Sequence, residues 1–388
     1  MLQAAALLIG ILLGIFSGLV PGIHSNTVAS LLSTLPVPPD LLVFAIVAVL
    51  GAHLVFQFLP SIFLSIPDDT VVTSVLPGHR MALEGRGKEA LLVCVSSVIA
   101  AVALSALLLP VAMVALPFAY SFIEPVMAWV LVGASAVLLA SEREWRKIAL
   151  ASLVFLLAGA LGIATTRAPI NDPLFPAFSG LFAVSGILLS FTSHRKLPEQ
   201  KEGRARVDYL PYVVVGVFFG MFSDLLPGIA APAQIAVFAS LVLFSDEARD
   251  FLALVSAIAA SHMVFAFSAL LSIGKAREGA LAILQEIRPV LPADLPMLLG
   301  IFLLSVGISA LVLMRLSKYA HVLERLDMSQ LNLCVLGYIV CAAAIISGGA
   351  GLLLLATSAA IGMLPPLLGI RRTHVMGLII VPSILLAL

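Results

Sequence analysis

Asp224 is a carboxylate set inside an apolar run, residues 209–244, and is the side chain best placed for chemistry. It follows Gly216 and Gly220 at four-residue spacing. That spacing keeps the three residues on one helix face, and small residues on such a face let another helix approach closely. The carboxylate is therefore expected to face protein rather than lipid. An intramembrane carboxylate is costly and marks a functional site by default. Asp224 could hold Na⁺ beside carbonyls freed by a broken helix, or carry a proton, with Ser223 adding a hydroxyl. The structural alternative is an aspartate at the membrane edge or paired with a cation.

Three residues on stands Pro227-Gly228, and the chain builds the same arrangement once before, as Gly10, Gly14, Gly18 and Pro21-Gly22. Ser17 matches Ser223, and Gly18 matches Asp224. Proline lacks an N–H and glycine tolerates positive φ, so Pro-Gly breaks a helix. A break inside a bilayer must face protein or a water-filled cavity. Two breaks at matching positions of two halves point to a transporter's substrate site. After the first break come Ile23, His24, Ser25, Asn26 and Thr27. Ser, Asn and Thr are helix N-cap residues, and a half-helix starting there would aim free N–H groups and a positive dipole end at a carboxylate. Plain capping would use the same groups. After the second break, Pro232 fits a first helical turn and Gln234 is the polar side chain close by. The two halves are therefore expected to do unequal work. The expected substrate contacts are Pro21, Gly22, Ser25, Asn26, Thr27, Pro227, Gly228 and Gln234, with His24 a weaker candidate.

A second pair of candidates follows the matched Leu64-Ser65-Ile66 and Leu271-Ser272-Ile273. Asp68, Asp69 and Thr70 could cap an interrupted element and bind a cation. Lys275 and Arg277 could pair with an anion through charge-assisted hydrogen bonds, although loop charge in solvent is the ordinary reading. His53 and His262 occupy equivalent positions in the halves. Their duplication argues for a shared structural role, such as bonding a backbone carbonyl near a break, with proton relay as the alternative. Cys94, Cys334 and Cys341 lie in apolar segments and read as small hydrophobes rather than a disulfide or metal cluster.

The elements that position these residues are membrane helices. Hydrophobic residues make up 61% of the 388, charged residues 11%, and the net charge is zero. Soluble domains carry about 25% charged residues, and nothing in the charge balance suggests nucleic-acid binding. A cleaved signal peptide is not expected, because the N-terminus lacks a basic n-region and its apolar run is too long. With roughly 20 apolar residues per span, the first half reads as segments 2–35, 41–65, 90–118, 121–141, 148–164 and 174–192. The second half reads as 209–244, 251–274, 294–314, 331–347, 349–365 and 374–388. His53-Leu54-Val55-Phe56 matches His262-Met263-Val264-Phe265, so the repeat extends beyond the glycines. The expected domains are a first repeat at 1–192, a cytoplasmic linker at 193–206 and a second repeat at 207–388. Loop Lys and Arg residues favour opposite insertion of the halves, an inverted repeat, if each broken segment begins and ends on one side. Lys275, Arg277 and Arg288 run against that arrangement, and a parallel duplication is the alternative.

These residues resemble the TctA-type large permease subunit of the tripartite tricarboxylate transporters. The resemblance rests on Gly10, Gly14, Gly18 and Pro21-Gly22, on Ser65-Ile66-Pro67, on Gly78-His79-Arg80-Met81-Ala82 with Gly85, and on Pro227-Gly228. It is best over residues 10–95 and 216–235. Ser65 stands where the family usually has Asn, and Asp68 where it usually has Gly. Alanines and Pro232 replace glycines after the second break, and the chain is short for the family. The resemblance implies carboxylate import driven by an ion gradient, with a small membrane subunit and an extracytoplasmic binding protein.

The expected protein is therefore an all-α, multi-pass transporter of the cell membrane. It would carry a small organic anion, a di- or tricarboxylate, by alternating access in symport with Na⁺ or H⁺. The expected coupling residues are Asp224, Ser223, Asp68, Asp69 and Thr70, with Na⁺ at Asp224 as one option. No cofactor is expected; partners are the lipid bilayer, the subunits named above and a second copy of the chain as a homodimer. An intramembrane lipid- or peptide-processing enzyme is the first alternative, although HExxH and Gly-x-Ser-x-Gly are absent. A non-transporting scaffold is the second.

Overall fold

The computed structural model describes residues 1–20, 23–64, 75–190, 198–201, 208–225, 235–236, 239, 247–276, 278–319 and 328–388. The described residues are helical, without strands, as the apolar runs require. Seven helices among them are long and apolar enough to cross a membrane, and three shorter apolar helices accompany them. The helices of the first half are α1 (Leu2–Leu19), α2 (Ser25–Ser33), α3 (Pro39–Phe56), α4 (Phe58–Leu64), α5 (Val75–Leu83), α6 (Gly87–Ile123), α7 (Met127–Ala140) and α8 (Trp145–Arg167). Then comes α9, Leu174–Phe178 running through a π-helical stretch, Ser179–Val184, into Ser185–Ser190. The second half holds α10 (Leu210–Ser223), α11 (Ala248–Ser272), α12 (Gly279–Ile287), α13 (Leu295–Leu316), α14 (Met328–Leu368) and α15 (Gly377–Ala387). The expected segments 331–347 and 349–365 form the two arms of α14. They meet at Gly348, whose φ of 67° and ψ of −163° break the helix.

Matching residues of the two halves make matching contacts. The α1 glycines lie on α3, where a Cβ at Gly14 would stand 2.6 Å from the Val49 carbonyl. The α10 glycines lie on α11 in the same way, with Gly220 2.8 Å from the Ile258 carbonyl by the same measure. Close backbone approach is what helices use in lipid, where apolar surface gives no drive to associate. Each half then packs on the other: α3 meets α13, and α11 meets α6. Ser305 on α13 donates to the Ala48 carbonyl at 2.6 Å across that seam.

The remaining helices repeat the exchange. A Cβ on Gly162 of α8 would strike the Leu378 carbonyl of α15, and one on Gly362 of α14 would strike the Leu181 carbonyl of α9. Conversely, Gly377 meets the Phe155 carbonyl and Gly180 the Leu355 carbonyl. One large core joins α2, α3, α6, α11, α12 and α13. Two smaller cores lie apart from it, one of α7, α8, α9 and α15, the other of α9 and both arms of α14. Part of the polar linker is docked rather than loose. Gln200 accepts the Gly87 N–H at 2.8 Å and donates to the Ala82 carbonyl at 3.0 Å, fixing the linker at the start of α6.

Candidate functional site

Helix α1 stops at Leu19 and α2 starts at Ser25, so a helix interruption brackets the first Pro-Gly pair. His24 is the N-cap of α2, and its Nδ1 accepts the Asn26 N–H at 3.2 Å. The three residues after it divide their work. Ser25 is fully buried, with its hydroxyl 3.3 Å from His24 Nδ1. Asn26 and Thr27 line a cavity of about 660 Å³, with His24 beside them. The other wall comes from Asn171, Asp172, Phe175, Phe178 and Ser179, at and before α9, and from Ile345 and Ile346 of α14. The cavity therefore opens between the large core, which holds α2, and the core built on α9 and α14.

Behind this wall lies a duplicated Ser–His pair. Ser17 is 3.0 Å from His53 Nδ1, and Ser223 is 3.0 Å from His262 Nδ1. Each serine hydroxyl donates to a backbone carbonyl, Ser17 to Gly14 at 3.1 Å and Ser223 to Gly220 at 2.6 Å. A hydroxyl has one hydrogen, so each serine can only accept from its histidine, and Nδ1 carries the ring hydrogen. The histidines thus meet a side-chain hydroxyl through Nδ1. His24 stacks edge-on against His53 with ring centres 5.0 Å apart, linking the pair to the cavity wall.

The second pair carries carboxylates. Asp224 is fully buried at the end of α10, with Oδ1 3.0 Å from His262 Nδ1. Ser223 and Asp224 thus approach the same ring nitrogen, so His262 does not stand between them as the base of a Ser–His–Asp nucleophile would. The other nitrogen, Nε2, faces Glu278 Oε2 at 3.9 Å. Glu278 is buried and is the N-cap of α12. Its sequence neighbourhood reads as a cationic loop, Lys275 and Arg277, which hid it. A carboxylate just before the helical run from Gly279 is the one signal that could have found it.

Of the other expected site residues, Lys275 is exposed beside Gly274 and does not line the cavity. Pro21, Gly22, Asp68, Asp69, Thr70, Pro227, Gly228, Gln234 and Arg277 lie outside the described residues. Among the described residues, no group of three His, Cys, Asp or Glu side chains is arranged to hold a metal ion.

A multi-pass helical bundle with a short helix starting at a cavity wall and a buried carboxylate–histidine cluster fits a membrane protein of transporter type. The chain belongs to the tripartite tricarboxylate transporter TctA family, whose profile matches residues 5–377. The family is one of transporters rather than enzymes, and its members are components of tripartite tricarboxylate systems. The chain is also similar to a protein of Methanocaldococcus jannaschii described only as uncharacterized. The two share 27% identity over 407 aligned residues, covering 99% of each chain. No solved structure matches the chain.

Proposed function

We propose that this chain is the permease of an ion-coupled carboxylate transporter of the cell membrane, and that the cavity beside α2 receives the substrate. The observation that carries this reading is the cavity itself. Its volume of about 660 Å³ falls in the range of small-molecule sites and leaves room for a di- or tricarboxylate. The start of α2, with His24, Asn26 and Thr27, forms one wall, and a helix N-terminus with polar side chains favours a carboxylate. The walls belong to separate cores, so movement of one bundle past the other would expose the cavity to each side in turn, the motion of alternating access. Reciprocal contacts between the halves are what a repeat related by a two-fold axis produces, and an axis in the membrane plane makes that repeat inverted. A small membrane subunit and an extracytoplasmic binding protein would complete the system.

The test is uptake of labelled citrate or succinate into proteoliposomes under an imposed Na⁺ or H⁺ gradient. Accumulation that needs the gradient and saturates is expected. Asn26→Ala and Thr27→Ala should raise the half-saturating concentration. Turnover of a lipid or peptide without a gradient would favour an enzyme instead.

A further inference from the structure

The two walls of the cavity differ in charge. On the α2 side the polar groups are neutral. His24 Nδ1 accepts the Asn26 N–H at 3.2 Å. A backbone N–H can only donate, so Nδ1 is bare and the ring is uncharged, with its hydrogen on Nε2. Asn26 is held from the other half of the chain. Its Oδ1 accepts the Ala280 N–H at 2.8 Å, and that bond fixes which way the amide is turned. The group Asn26 can still offer is its amide nitrogen, a donor. A Cβ on Gly279 would stand 2.8 Å from the same amide, so its seat is closely fitted. This wall therefore presents uncharged donors and the start of a helix, which suit a carboxylate.

The facing wall holds an acid. Among the described residues that line the cavity, Asp172 is the one carboxylate, and no Lys or Arg accompanies it. Its backbone is unusual. Asp172 has a φ of 41°, and among the described residues one other non-glycine residue, Arg143, lies in the left-handed region. Such a conformation is costly, persists where the surroundings impose it, and is found often at ligand-binding sites. The turn is tied to α14, because the Ser347 hydroxyl donates to the Asn171 carbonyl at 2.8 Å. Ser347 stands between the kink at Gly348 and the cavity-lining Ile345 and Ile346. An anion brought beside Asp172 is repelled, and more strongly where bulk water is excluded. An ammonium group there reverses the sign and gives a charge-assisted hydrogen bond.

We propose that the substrate is an amino carboxylate, whose carboxylate meets the α2 wall while Asp172 binds its ammonium group. This rests on the proposed substrate cavity and narrows the class of carboxylate it takes. Two matched pairs test it, glutamate with glutarate and aspartate with succinate, because the members of each pair differ by the ammonium group. Binding to the full chain in detergent, at one pH and one salt concentration, is measured by titration calorimetry. The amino member of at least one pair is expected to bind about tenfold more tightly, as a hydrogen bond between charged groups allows. Asp172→Asn should weaken that amino compound about tenfold and leave its partner as tight or tighter, so that the preference disappears. Asparagine tolerates positive φ as aspartate does, so the variant should keep the turn. No preference for the amino member of either pair overturns the proposal, and that comparison needs no variant. A preference that survives Asp172→Asn overturns it as well. A preference that depends on Asp172, without gradient-driven accumulation in proteoliposomes, would leave Asp172 in its role and defeat the transport reading instead.

Discussion

Asp224 shows how much one side chain can disclose in a sequence of this kind. A carboxylate in an apolar run has few places to go, and here it is fully buried against His262. If it serves ion coupling, Asp224→Asn should abolish gradient-driven uptake while the protein still elutes as a folded species in detergent. Full uptake by that variant would remove Asp224 from the coupling role. The serines make a gentler prediction. Ser17→Ala and Ser223→Ala each remove the acceptor of a histidine N–H, and a side-chain hydrogen bond within a membrane bundle contributes about 0.6 kcal/mol. Thermal unfolding in detergent should show a small loss for each. The Ser–His pairing was half legible. The matched serines and matched histidines were plain in the repeat, but nothing local says that a residue on α1 touches one 36 positions away on α3.

Among elements, the glycines decide which helices meet. Gly10, Gly14 and Gly18 were recognisable because they recur every four residues, and they lie on α3 as a stripe of that kind should. Gly162 and Gly362 do the same for the other helices, but neither belongs to a run of glycines spaced four apart. Gly162→Val should separate α8 from α15, because the added atoms fall on the Leu378 carbonyl. Overpacking of this kind costs about 1–3 kcal/mol, and the variant should unfold at a clearly lower temperature. Gly300→Ala on α13 is the control. Nothing lies within 4 Å of the added Cβ, and alanine is favoured over glycine inside a helix by up to about 1 kcal/mol, so its unfolding temperature should hold or rise.

At the scale of the whole molecule, a clasp of Glu142, Arg371 and His374 joins the turn after α7 to the turn before α15. Glu142 Oε1 accepts the Arg371 N–H at 2.8 Å and lies 2.8 Å from His374 Nε2. Burial alone would raise the Glu142 carboxyl, but the Arg371 N–H, His374 and the charge nearby hold it below the usual glutamate range. A group lowered in the folded state adds stability above its unfolded pKa and loses it as pH falls through the lower folded value. Glu142→Gln should therefore lower the unfolding temperature near pH 7, and its difference from the parent should shrink below about pH 4. A difference that stays constant across that range would show that the clasp does not depend on charge.

Composition and period were enough to establish a membrane protein made of helices, because a bilayer leaves a chain few ways to satisfy its backbone. They also revealed the duplication and the helix interruption before α2, since both are written in local spacing. What the sequence could not supply was the exchange of partners between halves, or the placement of Glu278 beside His262. Those depend on how the chain returns on itself. The bond from Asn26 to Ala280 spans 254 positions, and over that distance only the packed tertiary structure determines which side chain caps α12.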